Sequence, residues 1–208
     1  MIFERHSELD GKHAVLSPSQ CSWLNYETED DLFKRFKSYY AAKIGTVAHD
    51  FAQELISKNM RLNKGDRKMV FFELLKNDIP RTVINLDDWY DSYSLYVNDA
   101  ISFHMTPEVS LKYSDYAFGK TDAICFDNDI LRIHDLKTGA NPAKMDQLVC
   151  YAALFCLRYS KKPKDIETHL RIYQSNEVLT FDPEPIDICE TMDTIVKFNK
   201  TLLKLGGK

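Results

Sequence analysis

A mixed α/β fold, with a central mixed sheet flanked by helices and a helical N-terminal half, is predicted by three observations. Apolar residues recur at helical spacing through roughly the first hundred positions. From Pro107 onward they alternate as in strands, and one amphipathic segment interrupts the strands before another closes the chain. At 208 residues the chain can bury one substantial core but is short for two. A single domain over 1–208 is therefore expected, with 1–106 mainly helical, 107–182 the sheet and 183–208 a C-terminal helix.

In order along the chain, "SPSQCSWLNY" offers Ser17 as an N-cap and Pro18 at the first helical position, where its missing N–H is harmless. "IGTVAHDFAQELISKN" places Ile44, Val47, Phe51 and Leu55 on one apolar stripe. "LDDWYDSYSLYVNDAISFH" spaces Leu86, Trp89, Tyr90, Tyr93, Val97, Ala100, Ile101 and His104 helically, so its aromatics read as core. "EVSLKY", "YAFGKTDAICF" and "ILRIHDLKT" then read as strands, "PAKMDQLVCYAALFCLRY" as a helix, and "IETHLRIYQ" and "EVLTF" as two further strands. "PIDICETMDTIVKFNKTLLK" is the closing amphipathic helix.

Composition narrows the function classes. The 44% apolar and 28% charged residues are those of an ordinary globular protein. No run approaches a membrane span, and "MIFERHSELDGK" lacks the apolar region of a signal peptide, so a cytoplasmic location is expected. A net charge of −4 argues against a chain that coats nucleic acid nonspecifically, but leaves room for a local basic groove. Lys34, Arg35 and Lys37, or Lys161, Lys162 and Lys164, could supply one, or be solvated faces. The five cysteines, Cys21, Cys125, Cys150, Cys156 and Cys189, form no CxxC pair and are expected as buried small hydrophobes.

The stretch "GKTDAICFDNDILRIHDLKTG" carries the chemistry. If Asn128 and Asp129 form a two-residue hairpin loop, Phe126 faces Leu131, Ile124 faces Ile133, Asp122 faces Asp135 and Lys120 faces Lys137. All eight then share one face, apolar near the turn and charged at the open end. Carboxylates directly opposite each other, with Cβ atoms about 5 Å apart, repel. A divalent cation such as Mg²⁺ or Mn²⁺ relieves that repulsion; the alternative reading is a solvated strand edge. Lys137 lies on the same face two residues beyond Asp135, where an ammonium can stabilise charge on a scissile phosphate.

Taken in order, "GTVAH", "GKTDAI", "HDLKTG" and "QLVCYAALF" resemble the PD-(D/E)XK nuclease superfamily, in the branch of the RecB nuclease domain and phage recombination exonucleases. The resemblance spans Gly45 to Phe155 and implies a restriction-endonuclease-like core. It also implies that His49, Asp122, Asp135 and the Leu136 main-chain carbonyl bind Mg²⁺ or Mn²⁺, with Asp122, Asp135 and Lys137 catalytic. Gln147 and Tyr151, four apart on one helix face, are expected to contact Lys137 or the nucleic-acid backbone. Glu108, ahead of the hairpin, is expected as an outer supporting group. Glu54, turned roughly 140° from His49 on the helix, is expected in solvent. The cysteines lack the clustered spacing with which some relatives hold an iron–sulfur cluster, so none is expected.

The function implied is a metal-dependent deoxyribonuclease, phage or prophage encoded, resecting DNA ends for recombination or repair in a bacterial cytoplasm. DNA is the expected partner, a single-strand annealing protein is implied by the family, and a homo-oligomer stays open. The alternatives are a sequence- or structure-specific endonuclease of the same fold, or a binding module without turnover.

Overall fold

The computed structural model describes residues 4–9, 11 and 13–206. Part of the N-terminal stretch read above for targeting lies outside them. The chain enters through a 3₁₀ segment, Pro18–Asn25, which starts at Pro18 as expected but kinks at Gln20; the Ser17 side chain caps nothing and bonds Ser19 instead. Helix α1, Glu29–Ser57, starts 15 residues before the expected Ile44. The Thr28 hydroxyl accepts from the Asp31 N–H, and Glu29, Asp30 and Asp31 in the first turn complement the helix dipole. Two shorter helices follow, α2 at Arg67–Lys76 and α3 at Tyr90–Ser102. His104, expected on the α3 face, lies beyond the helix end in a left-handed conformation and is exposed.

Five strands form one sheet in sequence order: β1 Thr106–Ser114, β2 Ala117–Asp127, β3 Ile130–Lys137, β4 Glu167–Gln174 and β5 Glu177–Phe181. All neighbours are antiparallel except β3 and β4, whose parallel pairing is spanned by the crossover helix α4, Asp146–Tyr159. Helix α5, Pro185–Leu205, packs on α4. The sheet is thus mixed and covered on both faces. On one face Leu55, Leu74, Tyr93 and Val97 pack with Ala123, Leu136 and Tyr173; on the other Leu148, Ala152 and Phe155 pack with Ile124, Ile133 and Ile172.

The β2–β3 hairpin adopts the expected register from Asp127↔Ile130 through Phe126↔Leu131 and Ile124↔Ile133, with Asn128 and Asp129 at positive φ as a type I′ turn requires. The ladder stops at Ala123↔His134. Lys120 consequently does not face Lys137: it pairs with Ser110 of β1. Of the cysteines only Cys156 is buried, because Cys150 sits on the outer side of α4, Cys21 is in the exposed entry segment, and Cys125 and Cys189 are half-buried. No helix among the described residues is long and apolar enough to cross a membrane.

Candidate functional site

Three elements converge where β2 and β3 part. Helix α1 passes close to the loop after Lys137: a Cβ on Gly45 would lie 3.5 Å from the Thr138 hydroxyl, an ordinary contact. One helical turn later His49 reaches the sheet, its Nδ1 3.5 Å from Asp122 Oδ1. The other Asp122 oxygen accepts the Leu136 N–H at 2.7 Å. A strand residue directs its N–H and C=O to the same neighbour, so the Leu136 carbonyl faces the same gap. One ligand atom each from His49, Glu108 and Asp122 lies within 4.8 Å of the others.

Glu108 is therefore a ligand candidate, where only an outer role was expected. The β1–β2 register puts it opposite Asp122, between the pairs Pro107↔Ala123 and Val109↔Thr121, and its positive φ breaks the ladder there. Glu108 is in contact with the Lys120 ammonium. The hairpin turn alone would have set Glu108 against Ala123; the irregularity between Lys112 and Ser114 shifts it to Asp122.

Asp135, expected among the ligands, stands apart from that group of three. Its carboxylate is buried, with the Lys137 ammonium 3.0 Å from Oδ1 and 2.8 Å from Oδ2. Only the Oδ1 contact has hydrogen-bond geometry, so Oδ2 has a charge partner but no directed donor. Gln147 Nε2 donates to Asp135 Oδ1 at 3.4 Å and to the Tyr151 hydroxyl at 3.3 Å, so this pair reaches the site through Asp135 rather than Lys137. The Tyr151 ring lies against Gly119, where a Cβ would come within 2.7 Å of it. The glycine of "GKTDAI" thus makes room for the tyrosine of α4.

The electrostatics are those of three carboxylates, each with one basic partner, that still act on one another. Burial, and then the Asp122 charge, push the Asp135 carboxyl up to about 6, against Lys137 and His49. Burial opposes protonation of His49, but its hydrogen bond to Asp122 and the charges of Asp122, Asp135 and Glu108 prevail and raise it. Tyr96 of α3, buried behind the site, is held well above the usual phenol range by burial and by the same three carboxylates. Carboxylate oxygens with one imidazole suit a hard or borderline divalent ion such as Mg²⁺ or Mn²⁺.

The other expectations sort by place. Glu54 is in solvent, paired with Lys58. Lys161 lies at the far end of the hairpin, paired with Asp129, away from the carboxylates. In the α1 cluster, Arg35 pins the entry segment through the carbonyls of Val15 and Gln20, whereas Lys37 borders a cleft shared with Thr138 and Gly139.

No curated protein and no solved structure matches the chain. A family model matches residues 13–175, a span that begins before the entry segment, runs through β4 and includes His49, Glu108, Asp122, Asp135, Lys137, Gln147 and Tyr151. With that span covering well over half of its length, the chain belongs to the family described as "Protein of unknown function (DUF2800)".

Proposed function

We propose that the protein is a metal-dependent deoxyribonuclease of the PD-(D/E)XK kind, an exonuclease that resects DNA ends. The observation that carries this reading is the convergence, at one end of a sheet, of His49, Glu108 and Asp122 with the buried Asp135–Lys137 pair. A lysine that serves only to neutralise a buried carboxylate has no need of a histidine and two further carboxylates beside it. His49, Glu108 and Asp122 would hold Mg²⁺ or Mn²⁺, with Asp135 and the Leu136 carbonyl adjoining. The ion would supply Lewis acidity and a water of lowered pKa.

The chain's own groups do the rest. Asp135 holds the Lys137 ammonium, whose side chain remains 33% exposed, so its charge is fixed in place and still open to a phosphate oxygen. A cation preorganised in this way stabilises the negative charge that grows on phosphorus as water attacks. Gln147 braces the same Asp135 oxygen that accepts from Lys137, and Tyr151 braces Gln147. Asp122, by accepting from Leu136 N–H, fixes the width of the gap in which the phosphate would sit.

The test is a time course on linear duplex, nicked circular and covalently closed DNA, with Mg²⁺, Mn²⁺ or EDTA, using wild type and Lys137→Ala. Loss of the linear form alone, dependent on metal and on Lys137, is expected. Cutting of closed circles would make the enzyme an endonuclease. Absence of cleavage in every form would remove the catalytic reading and leave a binding module.

A further inference from the structure

Gln174 ends β4 directly beside Lys137, its register partner in the parallel β3–β4 pair. The two side chains therefore leave the same face of the sheet on strands about 4.8 Å apart. Gln174 is only 8% exposed, and its amide is fully engaged. Nε2 donates to the Gly139 carbonyl at 2.6 Å and to the Asn141 carbonyl at 2.7 Å, while Oε1 accepts the Ala143 N–H at 3.1 Å. One buried side chain thus fixes three points of the loop that joins Lys137 to α4, the helix carrying Gln147 and Tyr151.

The clamp determines what the loop shows on its outer side. In a trans peptide the C=O and the following N–H point in opposite directions. With the Gly139 carbonyl drawn in to Gln174, the Ala140 N–H is turned outward; at the second clamped carbonyl the next residue is Pro142, which has no N–H to expose. Gly139, Ala140, Asn141 and Lys144 are all exposed. The loop separates two open clefts: one of 620 Å³ that Lys37, Thr138 and Ala140 border, and one of 440 Å³ that Lys137, Asn141 and Lys144 border. Lys144 and the outward amide thus lie on the ridge between the clefts, with Lys137 on the wall of the second and Lys37, Asp87 and Asp88 on the wall of the first.

We infer that Gln174 is a positioning residue for the substrate strand: it holds loop 138–144 as a ridge whose Ala140 N–H and Lys144 ammonium receive phosphates flanking the bond presented to Lys137. In its substrate class this rests on the nuclease reading above. Gln174 touches neither the metal ligands nor the scissile group, so it acts on binding and leaves the chemical step alone.

The test compares wild type with Gln174→Met, which matches the shape without hydrogen bonds, Gln174→Glu, which sets a carboxylate against two carbonyls, and the surface variant Lys144→Ala. Three quantities are read on a labelled oligonucleotide duplex, KM, kcat and duplex affinity in EDTA; amide exchange of the 138–145 segment and Mn²⁺ affinity are measured on the protein alone. Loss of two or three loop hydrogen bonds should raise KM and weaken duplex affinity about tenfold in both Gln174 variants. Exchange of 138–145 should quicken in those two, kcat should stay within about twofold, and Mn²⁺ affinity should not move. Lys144→Ala should raise KM without faster exchange. Unchanged KM and duplex affinity in the Gln174 variants of an active enzyme would overturn this role alone, as would a fall in kcat at constant KM. Wild type that neither cleaves nor binds the duplex would overturn it together with the nuclease reading.

Discussion

Adjacent residues of β3, His134 and Asp135, project into two polar clusters on opposite faces of the sheet, and the clusters are built on opposite principles. On the His134 side the Tyr173 hydroxyl donates to Asp99 Oδ2 at 2.7 Å, and Arg171 reaches the same oxygen at 2.9 Å. With its one proton given to Asp99, Tyr173 can only accept from His134 Nδ1 at 3.2 Å, which assigns that nitrogen the proton. One carboxylate meets one guanidinium, and the imidazole stays neutral. Burial, with the charges of Arg171 and Arg132 behind it, lowers its pKa to about 3. His134 Nε2 is the one atom this cluster leaves without a partner.

On the Asp135 side, three carboxylates face one histidine and Lys137, and the second nearby lysine, Lys120, is committed to Glu108. Like charges are left facing each other. The difference separates polar groups that hold the fold together from polar groups that could hold a metal ion. A buried network closed among its own members rigidifies a core. Carboxylates that still press on one another beside their counter-ions would be relieved further by a bound cation.

Four measurements would break or sharpen that contrast, from the largest effect to the smallest. Lys137→Ala should lower kcat by roughly 10²–10³, as loss of a preorganised charge stabiliser does, in a protein that still folds but melts at a lower temperature, because the buried Asp135 carboxylate loses its counter-ion. If the variant cleaves like wild type, Lys137 is only a counter-ion. Addition of Mg²⁺ or Mn²⁺ at about 100 times its Kd should stabilise wild type by about 2.7 kcal/mol, read by denaturant titration. Asp122→Asn should gain nothing, whereas Tyr173→Phe, on the other face, should keep the full increment.

Tyr173→Phe should itself lose about 1–3 kcal/mol, since Asp99 and His134 each lose a buried partner. Its folded fraction should cleave at the wild-type rate, and a specific loss of turnover would mean that the two faces are coupled. The smallest effect is in pH dependence without metal. His134, lowered in the folded state, favours folding above its unfolded pKa of about 6.5, and that contribution is lost as pH falls toward 3. Asp135, raised in the folded state, contributes the opposite slope, folding weakening as pH rises from about 3.9 to 6. The two partly cancel in wild type in EDTA. Asp135→Asn should therefore show a steeper rise of stability between pH 4 and about 6.5, and an unaltered slope would refute the assignment.

The elements of this site that were legible in the sequence are those set by local rules. A two-residue turn fixes hairpin register, so Asp122 and Asp135 could be placed on one side by numbering, although the ladder ends one pair short of setting them opposite each other, and the spacing of four put Gln147 and Tyr151 together. What was not legible depends on pairing across a crossover or on a local break. Gln174 meets Lys137 only through the parallel β3–β4 register, which no turn specifies. Glu108 joins His49 and Asp122 at a positive φ that nothing in "TPEVSLKY" announces. The early start of α1 was missed although Leu32, Phe36 and Tyr40 continue the stripe of Ile44 at a spacing of four: none of Glu29–Lys43 is fully buried, so the stripe is short and interrupted by charges.

The end of the β2–β3 ladder at Ala123↔His134 has a mechanical consequence. Beyond it the two strands form a fork: β3 continues for three residues with β4 alone as its neighbour, and the Asp122 carboxylate bridges the prongs by taking the Leu136 N–H. Asparagine at 122 can keep that bridge with its amide oxygen; alanine cannot, and would leave a backbone donor unsatisfied and the fork free to gape or close. The aspartate is thus a spacer as well as a ligand candidate, and the distance between the prongs is a dimension of the protein with or without an ion.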